Sequence, residues 1–336
     1  MKAWQVPVLG EAEQVMTLGE TPIPEPGPSQ LRIRVGAVAL NFPDSLMVRG
    51  QYQEKPALPF TPGIELCGVV DGAGDDGGAG DDADLRKGAR VMGLASMPHG
   101  ALAEYAIVER TAVSRAPDGL DDAHAAAFTV AYQTGWVALH RRAELKAGET
   151  LLVHAAAGGV GSAAVQLGKA AGARVVGVVG SADKVEVARR CGADEVIDRS
   201  AYDAQGLVGA LKAACGRGGA DVVYDPVGGD SFVASTKVVA FEGRILIVGF
   251  TSGIIPKAAV NHALVKNYGI LGVYWGLYHQ RKPEIIVQAA QALAELVATG
   301  RINPEVSSVL PFEQAPAGLA TLAAGRSTGR IVVMAP

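Results

Sequence analysis

Residues 153–165 read VHAAAGGVGSAAV, a glycine turn between an apolar run and an alanine-rich one. Ala156, Gly158 and Gly161 hold the places of a G-x-G-x-x-G pattern, with Gly159 and Val160 between the last two. Such a turn suits a pyrophosphate. Gly158 lets the backbone approach the anion, Gly161 lets helix and strand pack closely, and the free N–H groups of the helix start attract the charge. A lone pattern of this kind is weak. Here strand-like LLVHA (151–155) precedes it, a helix over 162–171 follows, and a second strand comes on schedule, as dinucleotide binding requires.

That second strand, RVVGVVG (174–180), bears on which dinucleotide. An acid at its end binds the ribose hydroxyls in NAD enzymes. The acid's place is taken by Gly180, followed by Ser181 and, one turn on, Lys184, and the next strand ends at Asp198–Arg199. Cations without an opposing carboxylate suit a 2′-phosphate. At ~1.5–3 kcal/mol per charge-assisted hydrogen bond, two give roughly 10²–10⁴-fold preference. The residues predict NADPH; the competing reading is that Lys184 and Arg199 are plain surface charges.

The elements that position these residues form a series. EVIDR (195–199), DVVYDPVGG (221–229), RILIVGF (244–250) and GILGVYWG (269–276) continue it, with helical stretches between. Their runs are apolar without alternation, the pattern of strands covered by helices on both faces of a parallel sheet. Six of them predict a doubly wound α/β domain. The first 125 residues instead carry dense Pro and Gly punctuation and short strand-like runs, which predict a mostly β domain. DGAGDDGGAGDDAD (71–84) reads as an exposed loop, 283–300 as an amphipathic helix ending at a glycine, and TGRIVVMAP as a final strand. The expected organisation is 1–125 plus 276–336 as one domain, interrupted by a nucleotide-binding domain over 126–275.

Composition narrows the class. Hydrophobic residues make up 49% of the 336 and charged residues 19%, as in a folded globular protein. A net charge of −4 and the absence of a Lys/Arg run argue against nucleic-acid binding. No apolar stretch reaches the roughly 18 residues of a membrane span. The opening MKAWQVPVLGEAEQ lacks a signal-peptide core. Cys67, Cys191 and Cys215 are sparse and far apart, which suits a reducing compartment, so a cytoplasmic protein is expected. The six histidines (99, 124, 140, 154, 262, 279) show no ligand spacing and read as structural or surface residues.

ALNFPD (39–44), LPFTPGIELCGVV (58–70), GARVMG (88–93), HGALAEYA (99–106), AYQTGW (131–136) and VGFTSG (248–253), with the glycine segment, span the chain. Together they resemble the zinc-free quinone oxidoreductases, related to zeta-crystallin, within the medium-chain dehydrogenase/reductases. The resemblance implies a GroES-like, mostly β catalytic domain interrupted by a Rossmann domain, with the active site between them. Zinc-bearing relatives place Cys and His where this chain has Asn41 and Ile64, although Asp44 and Glu65 remain, and their cysteine-rich lobe is missing. No metal is expected, because an amide and an isoleucine cannot replace thiolate and imidazole.

By the same resemblance, hydride passes from NADPH to a quinone or to an activated C=C bond. Asn41 would hydrogen-bond the carboxamide or a substrate oxygen, and Thr134 would orient the nicotinamide. Val248, Gly249, Phe250 and Thr251 would pass beneath the ribose and nicotinamide, and Gly272, Val273 and Tyr274 would close the site. Leu46 stands where relatives often carry a tyrosine. Tyr52 is then the first proton donor to test; its other reading is an aromatic plugging a domain boundary. Three functions stay open: an NADPH-dependent quinone reductase, an enoyl or 2-alkenal reductase, and a crystallin-like protein that binds NADPH without turnover. The apolar run 269–276 is an edge strand that predicts a homodimer.

Overall fold

The computed structural model describes residues 1–74 and 85–336. By its internal contacts the chain divides into two units, Met1–Val130 with Val306–Pro336, and Ala131–Glu305.

The first unit opens with an antiparallel pair, β1 (Lys2–Gln5) and β2 (Thr17–Glu20). β3 (Gln30–Ala39) then shows the alternation of a strand with one wet face: Leu31, Ile33 and Val35 are buried, and the residues between them are not. β4 (Glu65–Ala73), β5 (Arg90–Leu94), β6 (Tyr105–Glu109) and β7 (Val113–Arg115) follow. Residues 71–73, expected in a loop, extend β4 and pair with β3; residues 75–84 of that tract lie outside the described residues.

The second unit alternates strands with helices. Its strands are β8 (Thr150–His154), β9 (Arg174–Val179), β10 (Glu195–Asp198), β11 (Ala220–Asp225), β12 (Val239–Ile247) and β13 (Gly269–Gly272). All pair in parallel, in the order β10-β9-β8-β11-β12-β13. The order reverses between β8 and β11, the switch point where doubly wound sheets bind ligands. Leu151, Leu152 and Val153 of β8 are fully buried, which explains their unbroken apolar run. Leu152, Val176, Val223 and Ile245 form one core with Leu211 and Phe232 from the helices.

The chain returns to the first unit with β14 (Val306–Leu310) and β15 (Arg330–Met334). The sheet there runs β14-β15-β3-β4-β5-β7, with β6 also on β3. Residues 276–305, grouped by sequence with the β-rich domain, pack in the second unit instead. Helix Pro283–Ala298 buries Ile286, Ala289 and Leu293.

Some strand limits differ from the expected ones for local reasons. β11 stops at Asp225 because Pro226 has no N–H to donate and the next two N–H groups turn back to the Asp225 carboxylate. The expected strand 269–276 is cut to four residues. Val273 N–H adds one bond to Ile247 O at 2.9 Å, and Trp275 already has helical dihedrals, leading into helix Gly276–Arg281. Among the described residues no helix is long and apolar enough to cross a membrane.

Candidate functional site

In the second unit the glycine turn is built as the pattern requires. Ala155, with φ +50°, turns the chain out of β8, and Gly158 caps helix Gly159–Ala170 in extended conformation with no side chain on its free N–H groups. A Cβ at Gly161 would lie 2.0 Å from Ala155 O, so only glycine fits there. At Gly158 the nearest atom to such a Cβ is Ala155 O at 3.2 Å. Ala156 is fully buried, whereas Gly158, Gly159 and Val160 are half-buried at the start of the helix. A turn with bare helix N–H groups and no side chain in front of it fits a pyrophosphate.

Gly180 follows β9 directly. It is exposed, and a Cβ built on it would meet a single atom within 4 Å, Arg199 Nε at 3.9 Å. Arg199 comes directly after β10 and donates to Ser231 Oγ at 3.4 Å. Ser181 is extended and half-buried, and Lys184 ends the short turn Ala182–Lys184. The two strand ends thus bring Arg199 to Gly180, and a glycine stands where an NAD enzyme has its acid. Val248 leaves β12 with its N–H on Asp225 O at 2.9 Å, and Thr251 N–H reaches Pro226 O at 3.0 Å. Between them Gly249 passes close to Pro226 O, and the Phe250 ring is exposed. Gly272 O accepts from Arg142 Nε at 3.1 Å, Val273 is buried and Tyr274 exposed.

Behind this surface lies a buried polar cluster that sequence reasoning missed. His154, the last residue of β8, contacts Ser235 Oγ through Nε2 at 2.8 Å, and Ser235 Oγ donates to Ser231 O at 2.8 Å. That bond uses the one hydroxyl hydrogen, so His154 Nε2 is the donor and Nδ1 is left as a buried acceptor without a partner. Burial pushes the imidazole below its usual range; Asp225 opposes the shift and Arg199 adds to it. Asp225 takes Val227 and Gly228 N–H groups on Oδ1, and its Oδ2 has no partner.

The first unit holds a second buried polar cluster. Asn41 precedes helix Phe42–Val48, and its backbone N–H donates to Asp44 Oδ2 at 2.8 Å. Its Nδ2 donates to Ala39 O at 3.1 Å and to Glu65 Oε2 at 2.9 Å, while Oδ1 accepts from Arg330 Nη1 at 2.9 Å. Arg330 Nη2 also donates to Glu65 Oε2, and Val130 N–H donates to Glu65 Oε1 at 2.7 Å. Both Asn41 amide hydrogens are therefore committed. Its side-chain oxygen faces the Arg330 guanidinium and, in a capping box, the Asp44 backbone N–H, so donation to a substrate oxygen does not follow from this arrangement.

Burial pushes the Asp44 carboxyl up to about 7, against the pull of the Asn41 and Ile64 N–H groups. It pushes Glu65 up as well, opposed by Arg330 and Asn41. Tyr52 lies partly buried against the core of this unit, and Thr134 is buried in helix Thr129–Trp136 of the second. Arg330 was missed because one cation at a strand start carries no local signal.

A zinc centre does not fit positions 41 and 64. The Asn41 amide is held by three protein groups, a guanidinium stands beside it, and Ile64 offers no donor. Among the described residues no group of three or more His, Cys, Asp or Glu is placed to hold a metal.

Two family models match: residues 27–118 the alcohol dehydrogenase GroES-like domain, and 159–293 the zinc-binding dehydrogenase domain. Rat quinone oxidoreductase-like protein 2 is 34% identical over 98% of this chain and 92% of its own length. Human quinone oxidoreductase is 30% identical over 99% of this chain and 98% of its own. A mycobacterial protein solved in complex with NADPH superposes with a TM-score of 0.90 at 30% identity, covering 99% of both chains. With the GroES-like and Rossmann units, these likenesses over nearly the full length establish that the chain belongs to the quinone oxidoreductase family of the medium-chain dehydrogenase/reductases.

Proposed function

We propose that this oxidoreductase binds NADPH and reduces quinones without a metal. The observation that carries the reading is the Arg199 guanidinium beside Gly180, at a strand end where an NAD enzyme has its acid. The bare N–H groups at Gly159–Gly161 hold the pyrophosphate, and Arg199 and Lys184 hold the 2′-phosphate, flanked by Ser181. The dinucleotide, once bound, supplies the hydride.

The chain's own residues orient and protonate. The backbone of Val248–Thr251 and of Gly272–Tyr274 would line the cofactor's nicotinamide end, and Thr134 would orient the ring. Asn41 would meet a carboxamide N–H only through its side-chain oxygen, which it shares with Arg330 and the Asp44 N–H. Tyr52 is the proton donor in this reading. Because the Asn41 amide and Ile64 do not suit the zinc that would polarise an alcohol, an electron-poor acceptor is the natural partner for the hydride.

The protein is also proposed to act as a cytoplasmic homodimer. Its three cysteines are buried thiols. In the segment that precedes β13 in sequence, Ile254, Ile255, Val260, Leu264 and Val265 are 61–79% exposed, an amount of apolar surface that calls for a cover. Leu264→Glu is expected to halve the sedimentation mass; a wild-type mass of one subunit refutes the dimer.

The function is tested by NADPH and NADH oxidation side by side with a naphthoquinone and with crotonaldehyde. Fast turnover of NADPH with the quinone is expected. In the Lys184→Ala, Arg199→Ala variant most of the roughly 10²–10⁴-fold preference for NADPH disappears. A variant that keeps the preference refutes the phosphate pocket, and turnover confined to the enone refutes the quinone.

A further inference from the structure

We infer that Ser231 is a positioning residue for cofactor specificity: its hydroxyl holds the Arg199 guanidinium beside Gly180, and hydrogen bonds through Ser235 and His154 key its helix to the glycine turn. The inference rests on the NADPH reading above.

Arg199 is available to an anion because the acids nearest it in sequence are bonded locally. Asp198 Oδ1 accepts from Ser200 N at 2.9 Å and Ser200 Oγ at 2.7 Å, and Asp203 Oδ1 accepts from Gly206 N at 2.7 Å. Among the described residues Arg199 has no ion pair, and the one hydrogen bond of its side chain goes to Ser231 Oγ. A neutral anchor fixes the direction of the guanidinium without cancelling its charge. An acid in that place would have paired with Arg199 and competed with the phosphate.

Ser231 is itself held firmly. It is 2% exposed, in the first turn of helix Gly229–Val238, which the chain enters through Gly228 and Gly229 at φ +71° and +52°. Its N–H donates to Gly228 O at 3.1 Å, and its carbonyl takes the Ser235 hydroxyl, which in turn takes His154 Nε2–H. His154 immediately precedes Ala155, where the glycine turn begins. A line of hydrogen bonds, joined through the backbone at His154 and Ser231, therefore runs from the pyrophosphate turn to the arginine. It sets the spacing between the two anion sites that NADPH occupies together and NADH does not.

The test is calorimetric titration of the full chain with NADPH and with NADH, free of any acceptor. Ser231→Ala should weaken NADPH roughly three- to tenfold, the worth of one ordinary hydrogen bond, and leave NADH unchanged. Ser231→Thr should restore the ratio. Equal loss for both nucleotides, or no loss for either, overturns the inference when Arg199→Ala still lowers the NADPH/NADH ratio. If Arg199→Ala leaves that ratio unchanged, the phosphate pocket itself is wrong. Should Ser231→Ala not fold, Ser231→Cys keeps the volume, lacks the oxygen and carries the same expectation.

Discussion

The Arg330 guanidinium donates to the Glu65 carboxylate where the two side chains are 6% and 0% exposed. Each charge there depends on the other, since water cannot replace a lost partner. Arg330→Met leaves a buried carboxylate and should lower the unfolding free energy by about 3–5 kcal/mol, read from the urea midpoint. Adding Glu65→Gln removes the stranded charge and should recover at least half of that loss. A double variant no better than the single would show that the pair is not what stabilises this point.

Gly161 and Gly209 offer a contrast between two helical glycines. At Gly161 a Cβ would overlap the Ala155 backbone at 2.0 Å, whereas at Gly209, in helix Ala204–Cys215, it would meet nothing within 4 Å. Gly161→Ala should cost about 2–3 kcal/mol and weaken dinucleotide binding at least tenfold, because the turn must move to admit the methyl group. Gly209→Ala should instead stabilise by about 0.5–1 kcal/mol, the propensity gain of alanine in a helix. Thermal melts and nucleotide titrations of both variants check the pair; similar melts would contradict the overlap.

That contrast also marks what a single sequence can convey. The turn at Ala156–Gly161, the sheet β8–β13 and the approach of Arg199 to Gly180 follow from patterns within one or two βα units, where periodicity and spacing act. Arg330 and Glu65 are 265 positions apart, and nothing in TGRIVVMAP marks its arginine as buried. Likewise His154 reads as one more apolar-run residue. Its role depends on Ser235, 81 positions on, and on an unrelated helix. The end of β13 was misread because VYWG is apolar enough to prolong a strand, and only the backbone at Trp275 shows it turning helical.

Asp44 should give the protein a pH-dependent stability of definite sign. Its carboxyl goes from an ordinary 3.8 to about 7 on burial. Between those values the folded state keeps a proton that the unfolded chain has shed. The stabilisation is complete below about pH 4 and is lost as pH rises through about 7, by an amount on the order of 4 kcal/mol. Asp44→Asn, which cannot ionise, should remove that decline in urea titrations at pH 5, 6, 7 and 8. If the variant declines as steeply as the parent, Asp44 is not the titrating group.

His154 acts in the opposite direction. Its imidazole is held below the ordinary 6.5, first by burial and then by Arg199. Below pH 6.5 the unfolded chain takes up a proton that the folded state refuses, so stability present above that pH is lost as pH falls, at up to about 1.4 kcal/mol per pH unit. The two slopes oppose each other on the acid side, and the parent curve should be flatter than either contribution alone. Asp44→Asn should expose the acid-side loss due to His154. His154→Gln, which keeps an N–H donor for Ser235, should expose the decline toward pH 7 due to Asp44. Parallel curves for the three proteins would rule out both assignments, because neither group could then exchange a proton on unfolding in this range.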